Sequence, residues 1–287
     1  MLTAEEKTAC NVRSNTVDYD RLPGLHYLGN YTRRLPVNLT RMMENAHDWE
    51  HLPHVHAASF SSIDLIESGP WGWRAKIGVP SGGHQLIDLI VDMDRQYWVS
   101  TVISGMGQGT EIHTQASRVN VNEIDIDVRF YLPETPANPA ISAVALQYLQ
   151  GQYGQLYDED AGLMQGRQSA LDDRQRWRQV DQTAQDAPLC VGPEDALDKT
   201  RIHSLEWRGH RYAVRFWKDQ WIVHSAICPH LLGPLDEEEI APDGTITCPW
   251  HGYRFDVESG KNMDGQCSAM KQPPRIELRD RQIFLVL

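Results

Sequence analysis

The spacing of apolar residues changes period several times along the chain. Residues 1–20 are polar and follow no period, and 1–22 is taken as an arm without committed structure. Val37, Leu39, Met42, Met43, Ala46, Trp49 and Leu52 then recur at close to the helical interval, bracketed by Pro36 and Pro53. This spacing predicts a helix from Val37 to about His51. Strand-like segments follow at Trp73–Ile77, Gln85–Met93, Tyr97–Ile103, Thr110–Ala116 and Ile124–Tyr131, separated by turns such as Ser81-Gly82-Gly83, and they predict a curved antiparallel sheet. Residues 139–180 return to a helical composition, free of proline after Pro139, that Gly151 and Gly154 weaken, which predicts a long, interrupted helix.

Residues 181–199 are polar, carry Pro188 and Pro193, and read as a linker with a domain boundary near 185. Beyond it only short strands are expected, at Tyr212–Trp217 and Trp221–Ser225 around a Lys218-Asp219 turn, at Gly244–Thr247 and Tyr253–Asp256, and in a last hairpin, Ile276–Arg279 with Ile283–Val286. The expected class is α+β: an arm (1–22), a sheet-and-helix domain (23–185), and a small all-β domain (186–287). No internal repeat or low-complexity tract is visible.

A length of 287 residues suits two domains with cores of their own. No apolar run approaches the roughly 18 residues of a membrane span, so no membrane partner is expected. The acidic start Met1-Leu2-Thr3-Ala4-Glu5-Glu6-Lys7 has neither a secretory nor a transit pattern, and the expected location is cytoplasmic. The formal charge of −12 has the wrong sign for a nucleic-acid binder. Five cysteines, an odd number, favour thiols or metal ligands over a disulfide framework.

Two of those cysteines sit in tight motifs of the all-β domain, Cys228-Pro229-His230 and Cys248-Pro249-Trp250-His251. Two thiolates and two imidazoles could hold tetrahedral zinc, or a [2Fe-2S] cluster with cysteines on one iron and histidines on the other. A zinc finger usually pairs like with like on each loop, whereas here each loop offers one Cys and one His, as a Rieske centre requires. Residues 200–287 resemble the Rieske iron–sulfur domain, including Gly233-Pro234 after the first loop, Trp250-His251-Gly252-Tyr253, and Phe255-Asp256 with Gly260. The resemblance implies that Cys228 and Cys248 hold the inner ferric iron, and His230 and His251 the outer iron that changes valence. Neither loop has a spare cysteine for the cross-loop disulfide of high-potential members, so a low-potential cluster is implied. Cys10, Cys190 and Cys267 are expected to be inert thiols.

The other cluster is Glu44-Asn45-Ala46-His47-Asp48-Trp49-Glu50-His51-Leu52-Pro53-His54-Val55-His56, with four of the 12 histidines in ten residues. On an unbroken helix His51 and His56 would point about 140° apart, but Pro53 predicts a bend that lets both rings converge. His47 and His51 form a competing pair at i and i+4, and a solvated or capping role is the bland alternative. The order N-x-x-D-x-x-H-x-x-x-x-H, realised as Asn45, Asp48, His51 and His56, resembles the mononuclear iron motif of Rieske non-haem iron oxygenases, of the ring-hydroxylating alpha-subunit type. In that family two histidines and a downstream aspartate form a facial triad open to dioxygen. The resemblance implies His51 and His56 as ligands, with Asp160 as the third; Asp158 is the fallback, Glu159 the weaker candidate, and an acidic helix start the bland alternative.

The strands from Thr110 to Tyr131 resemble the family's helix-grip (START-like) sheet, so the resemblance covers about 23–180 and 200–287, with the domain order reversed. It implies Fe(II) beside the cluster, a homotrimer, and an electron path in which Asp48 links His251 of one subunit to His51 of the next; an intrachain path is the alternative. Asn45 is placed near the iron by the motif alone. The segment Gly105-Met106-Gly107-Gln108-Gly109 reads as a turn, since no dinucleotide-binding context surrounds it. Electrons must then come from an external NAD(P)H-dependent reductase, directly or through a ferredoxin. Trp71, Trp73, Trp98 and His113 are expected as core residues in preference to cavity walls. The function these residues imply is mono- or dioxygenation, or dealkylation, of a small apolar or aromatic molecule. The alternative is an electron carrier fused to a non-catalytic ligand-binding domain.

Overall fold

The computed structural model describes residues 2–179 and 187–287. The chain divides into two compact units, Met1–Gln165 and Gly166–Leu287. The boundary expected near 185 lies outside the described residues.

The first unit is built on a seven-stranded antiparallel sheet: β1 (His26–Leu35), β2 (Ser62–Gly69), β3 (Gly72–Gly78), β4 (His84–Asp92), β5 (Tyr97–Ser104), β6 (Glu111–Arg118) and β7 (Ile124–Leu132). The strand order is β1-β7-β6-β5-β4-β3-β2, so β2 to β7 form a meander and β1 closes on β7. Bulges at Tyr27/Gly29, Leu65/Glu67 and Leu86/Ile87 add local bend and twist. The Gly105–Gly109 segment is the β5–β6 turn.

Helix α2 (Leu39–His47) starts at Asn38, whose side chain accepts the Arg41 N–H, and buries Met42, Met43 and Ala46. It ends sooner than the apolar spacing suggests: Asp48 turns to extended backbone (φ −84, ψ 94), and a separate single turn, α3 (Leu52–Val55), follows. Pro53 lies in the first turn of α3, where a missing N–H costs nothing, so the bend precedes His51 and is not made by Pro53.

Helix α4 runs uninterrupted from Pro139 to Gln179 through Gly151 and Gly154, and through Gly162 and Gly166 beyond them. Each glycine costs a helix about 1 kcal/mol, but Leu146, Leu149, Tyr153, Tyr157, Ala161 and Met164 pack on the sheet core, and that burial outweighs the loss.

The arm is also ordered. Helix α1 (Ala4–Asn11) carries a capping box, in which Thr3 and Glu6 satisfy each other's backbone N–H, and a 3-10 turn spans Tyr19–Gly24. The arm lies on the sheet face opposite α4, with Cys10 packed on Leu86 and Ile103. Arg13 forks onto the fully buried Asp88 at 2.8 and 3.1 Å, and Arg21 pairs with buried Glu111 at 2.6 Å. Lone buried carboxylates are costly, so these pairs give the arm a defined seat.

The second unit contains three small sheets. One is β9 (His203–Trp207), β10 (His210–Trp217) and β11 (Gln220–Ser225); the second is β12 (Thr245–Thr247) with β13 (Arg254–Asp256); the third is β8 (Leu189–Pro193) with β14 (Arg275–Arg279) and β15 (Gln282–Val286). Lys218 and Asp219, both left-handed, make the expected turn. β8 falls inside the span expected to be linker. The architecture is α+β, as expected: a large antiparallel sheet with a long helix, followed by a small all-β domain. Among the described residues no helix is long and apolar enough to cross a membrane.

Candidate metal centres

In the first unit, His51 and His56 are the residues that cap α3 at its two ends; His51 keeps helical backbone angles, and His56 (φ −110, ψ 40) leaves the helical path. That places their ring centroids 5.1 Å apart at 71°. From α4, Tyr153, Leu156, Tyr157 and Asp160 face the same space at helical spacing. Asp160 Oδ1 lies 3.0 Å from His56 Nε2 and 3.3 Å from His51 Nε2. One donor atom from each of the three residues lies within 4.8 Å of the others, and all three residues are buried.

Burial alone would push Asp160 up and His51 down. Hydrogen bonding outweighs it in both: His51 first and foremost holds Asp160 well below the usual carboxylate range, and Asp160 and Asp48 raise His51 to about 10. A buried site with two imidazole nitrogens and a carboxylate is the donor set of the two-histidine, one-carboxylate iron class.

The three consecutive acids diverge. Asp158 is exposed and pairs with Arg33, which removes the fallback from the site. Glu159 Oε2 is 2.6 Å from His56 Nδ1. The segment lies in the middle of α4, so an acidic helix start is excluded. His47 is also turned away, its ring nitrogens on the Met43 and Pro70 carbonyls, which ends its pairing with His51.

Asp48 Oδ2 lies 3.5 Å from His51 Nδ1. Asn45 faces the cavity, and its Oδ1 is buried without a hydrogen-bond partner. The cavity measures about 120 Å³ and is mainly apolar, with Met42, Phe60, Trp73, Trp98 and Ile112 among its walls. Trp73 and Trp98 are therefore walls as well as core. His113 on the opposite face is a core histidine, bonded to Tyr97 and Glu111. The Tyr153, Tyr157, Asp160 series was readable as one helix face, whereas the carboxylate beside His56 had no signal in its spacing.

In the second unit, Cys228 and His230 lie on the loop after β11, and Cys248 and His251 on the loop joining β12 to β13. Each loop is closed by backbone bonds, Cys228 N to Gly233 O at 2.9 Å and Cys248 N to Tyr253 O at 2.8 Å. Both cysteines are buried, and the His230 and His251 ring centroids are 4.5 Å apart. The thiols share a hydrogen bond that pushes Cys228 up and Cys248 down. A Cβ on Gly233 would come within 2.8 Å of Cys248 Sγ and 3.1 Å of the Trp250 ring. Paired sulfurs beside paired imidazoles fit a cluster with cysteines on one iron and histidines on the other. Among the described residues there is no disulfide; Cys10 is buried and Cys190 exposed.

Residues 187–277 match the Rieske [2Fe-2S] domain family. Over 121 residues the chain is 25% identical to pheophorbide a oxygenase of Oryza sativa subsp. japonica, covering 33% of this chain and 23% of that protein. Over 82 residues it is 35% identical to flavonoid 8-hydroxylase 2 of Ocimum basilicum, covering 27% and 14%. The chain thus spans less than a quarter of these relatives. Among solved structures, the ferredoxin of carbazole 1,9a-dioxygenase from Nocardioides aromaticivorans aligns with 35% of this chain and 97% of its own at 23% identity and TM-score 0.31. A START superfamily protein from Mycobacterium smegmatis aligns with 49% and 98% at 11% identity and TM-score 0.39.

Proposed function

We propose that this chain, with a Rieske [2Fe-2S] domain homologous to those of Rieske oxygenases, is itself an oxygenase whose mononuclear Fe(II) is held by His51, His56 and Asp160. The observation that carries the reading is the meeting of these three buried side chains at the wall of a mainly apolar cavity, on the same chain as a Rieske domain. An iron so held supplies dioxygen activation at its open positions.

The chain's own residues do the rest. Cys228, His230, Cys248 and His251 hold the cluster, which passes one electron at a time. Asp48 orients the His51 ring through Nδ1. Trp73, Trp98 and Phe60 wall the cavity against water and select a small apolar or aromatic molecule for hydroxylation or dealkylation. The buried Asn45 Oδ1 offers an acceptor to a donor group on that molecule. Electrons come from an external NAD(P)H-dependent reductase, directly or through a ferredoxin. In a homotrimer, Asp48 would bridge His251 of one subunit to His51 of the next.

The test is an iron count on anaerobically prepared protein. About three irons per chain are expected, and His51→Ala should lose about one while keeping the cluster spectrum. Two irons per chain in both proteins would leave an electron carrier fused to a ligand-binding domain.

A further inference from the structure

Each histidine of the candidate iron site turns Nδ1 toward a carboxylate, and the two contacts differ. His51 Nδ1 stands 3.5 Å from Asp48, a loose contact. His56 Nδ1 stands 2.6 Å from Glu159 Oε2, a short hydrogen-bond distance. The other oxygen of Glu159 accepts from Gln155 Nε2 at 2.9 Å, one turn back on α4, which orients the carboxylate. The imidazole is only 2% exposed, so solvent offers its Nδ1 little alternative. On its far side, Nε2 faces Asp160 Oδ1 at 3.0 Å.

We propose that Glu159 is a positioning residue that keeps the His56 proton on Nδ1 and so leaves Nε2 as the metal-binding nitrogen. The inference rests on the metal site proposed above. A neutral imidazole has one N–H to place, and two carboxylates compete for it. On Nδ1, donated to Glu159, the proton leaves the Nε2 lone pair directed at His51 and Asp160. On Nε2, donated to Asp160, it occupies two ligand atoms at once and blocks the site. The shorter contact to Glu159 favours the first arrangement. Glu159 thereby takes a task distinct from ligation.

The test uses full-length protein with its cluster intact and the mononuclear metal removed, titrated anaerobically with Co(II) by calorimetry. Glu159→Ala should bind Co(II) about 10–100-fold more weakly. Glu159→Gln keeps an acceptor oxygen at the same reach and should stay within about threefold of the original protein, whereas Glu159→Asp keeps the charge but withdraws it by about one bond length, and should fall with the alanine variant. The cluster absorption should be unchanged in all three. With Zn(II) bound, a downfield His56 Nδ1–H proton resonance should be present in the original and Gln proteins and missing in the Ala protein. Should Glu159→Ala fail to fold, the Gln and Asp variants decide between hydrogen bond and charge. Unaltered affinity in Glu159→Ala, or a strong Asp variant beside a weak Gln one, overturns the proposal while the metal site stands. Absence of Co(II) binding in the unsubstituted protein overturns both.

Discussion

Residues 158–160 show how much chemistry one step along a helix decides. Successive side chains on α4 point about 100° apart. Asp158 therefore reaches the surface and Arg33, Glu159 reaches the back of the His56 ring, and Asp160 enters the cavity. The residue types alone could nominate all three; only the helix phase separates them, and that phase was legible in the Tyr153, Tyr157, Asp160 spacing. In the other unit, Gly233 is present for want of space, because a methyl group there would press on Cys248 Sγ and Trp250 together. Gly233→Ala should cut cluster content by more than half at equal protein concentration, read from the visible absorption of purified protein. A full complement of cluster would mean that the two loops can part by several tenths of an ångström at little cost.

At the scale of elements, the four strands that the apolar pattern did not mark, β1, β2, β8 and β9, are all edge strands. In β1 exposure does alternate, but the inward positions include Gly29 and Arg33 instead of an apolar series, and most of β2 is exposed, so neither strand has enough buried apolar positions to mark it. The inner strands were legible for the opposite reason. The helices differ from the expectation in both directions: α2 stops early at Asp48, and α4 continues through four glycines because tertiary packing outweighs propensity. The arm had a signal that went unread, the Thr3-x-x-Glu6 capping box. Glu6 also faces His84 at 3.0 Å and Lys76 at 3.5 Å. The Thr3 N–H first, then the His84 hydrogen bond and the Lys76 charge, hold its carboxyl below the ordinary value against the opposing effect of burial. A lowered folded pKa means stabilisation that is complete above about pH 4.5 and fades as the pH falls through the folded value. Glu6→Gln should therefore lose about 1 kcal/mol at pH 7 and much less at pH 3, measured by urea unfolding at both. An equal loss at both pH values would assign the effect to shape and not to charge.

At the scale of the molecule, the Rieske domain lies at the end of the chain and the sheet-and-helix unit at its start. If electrons enter through His251 and leave through Asp48, the carboxylate matters as a bridge and not as a ligand. Asp48→Asn should then keep both metals yet lower turnover by about 100-fold, measured as substrate oxidised per reduced cluster in a single turnover. Full turnover with intact metals would remove Asp48 from the path. The turn that separates His51 from His56 adds a constraint of another sort. It acts as a ruler: four residues set the bite of the two imidazoles, and the helix needs only length and a turn-starting proline to do so. Its apolar letters could be exchanged for others, but adding or deleting a single one would swing one ring away from the other and dismantle the proposed chelate without touching either histidine or Asp160.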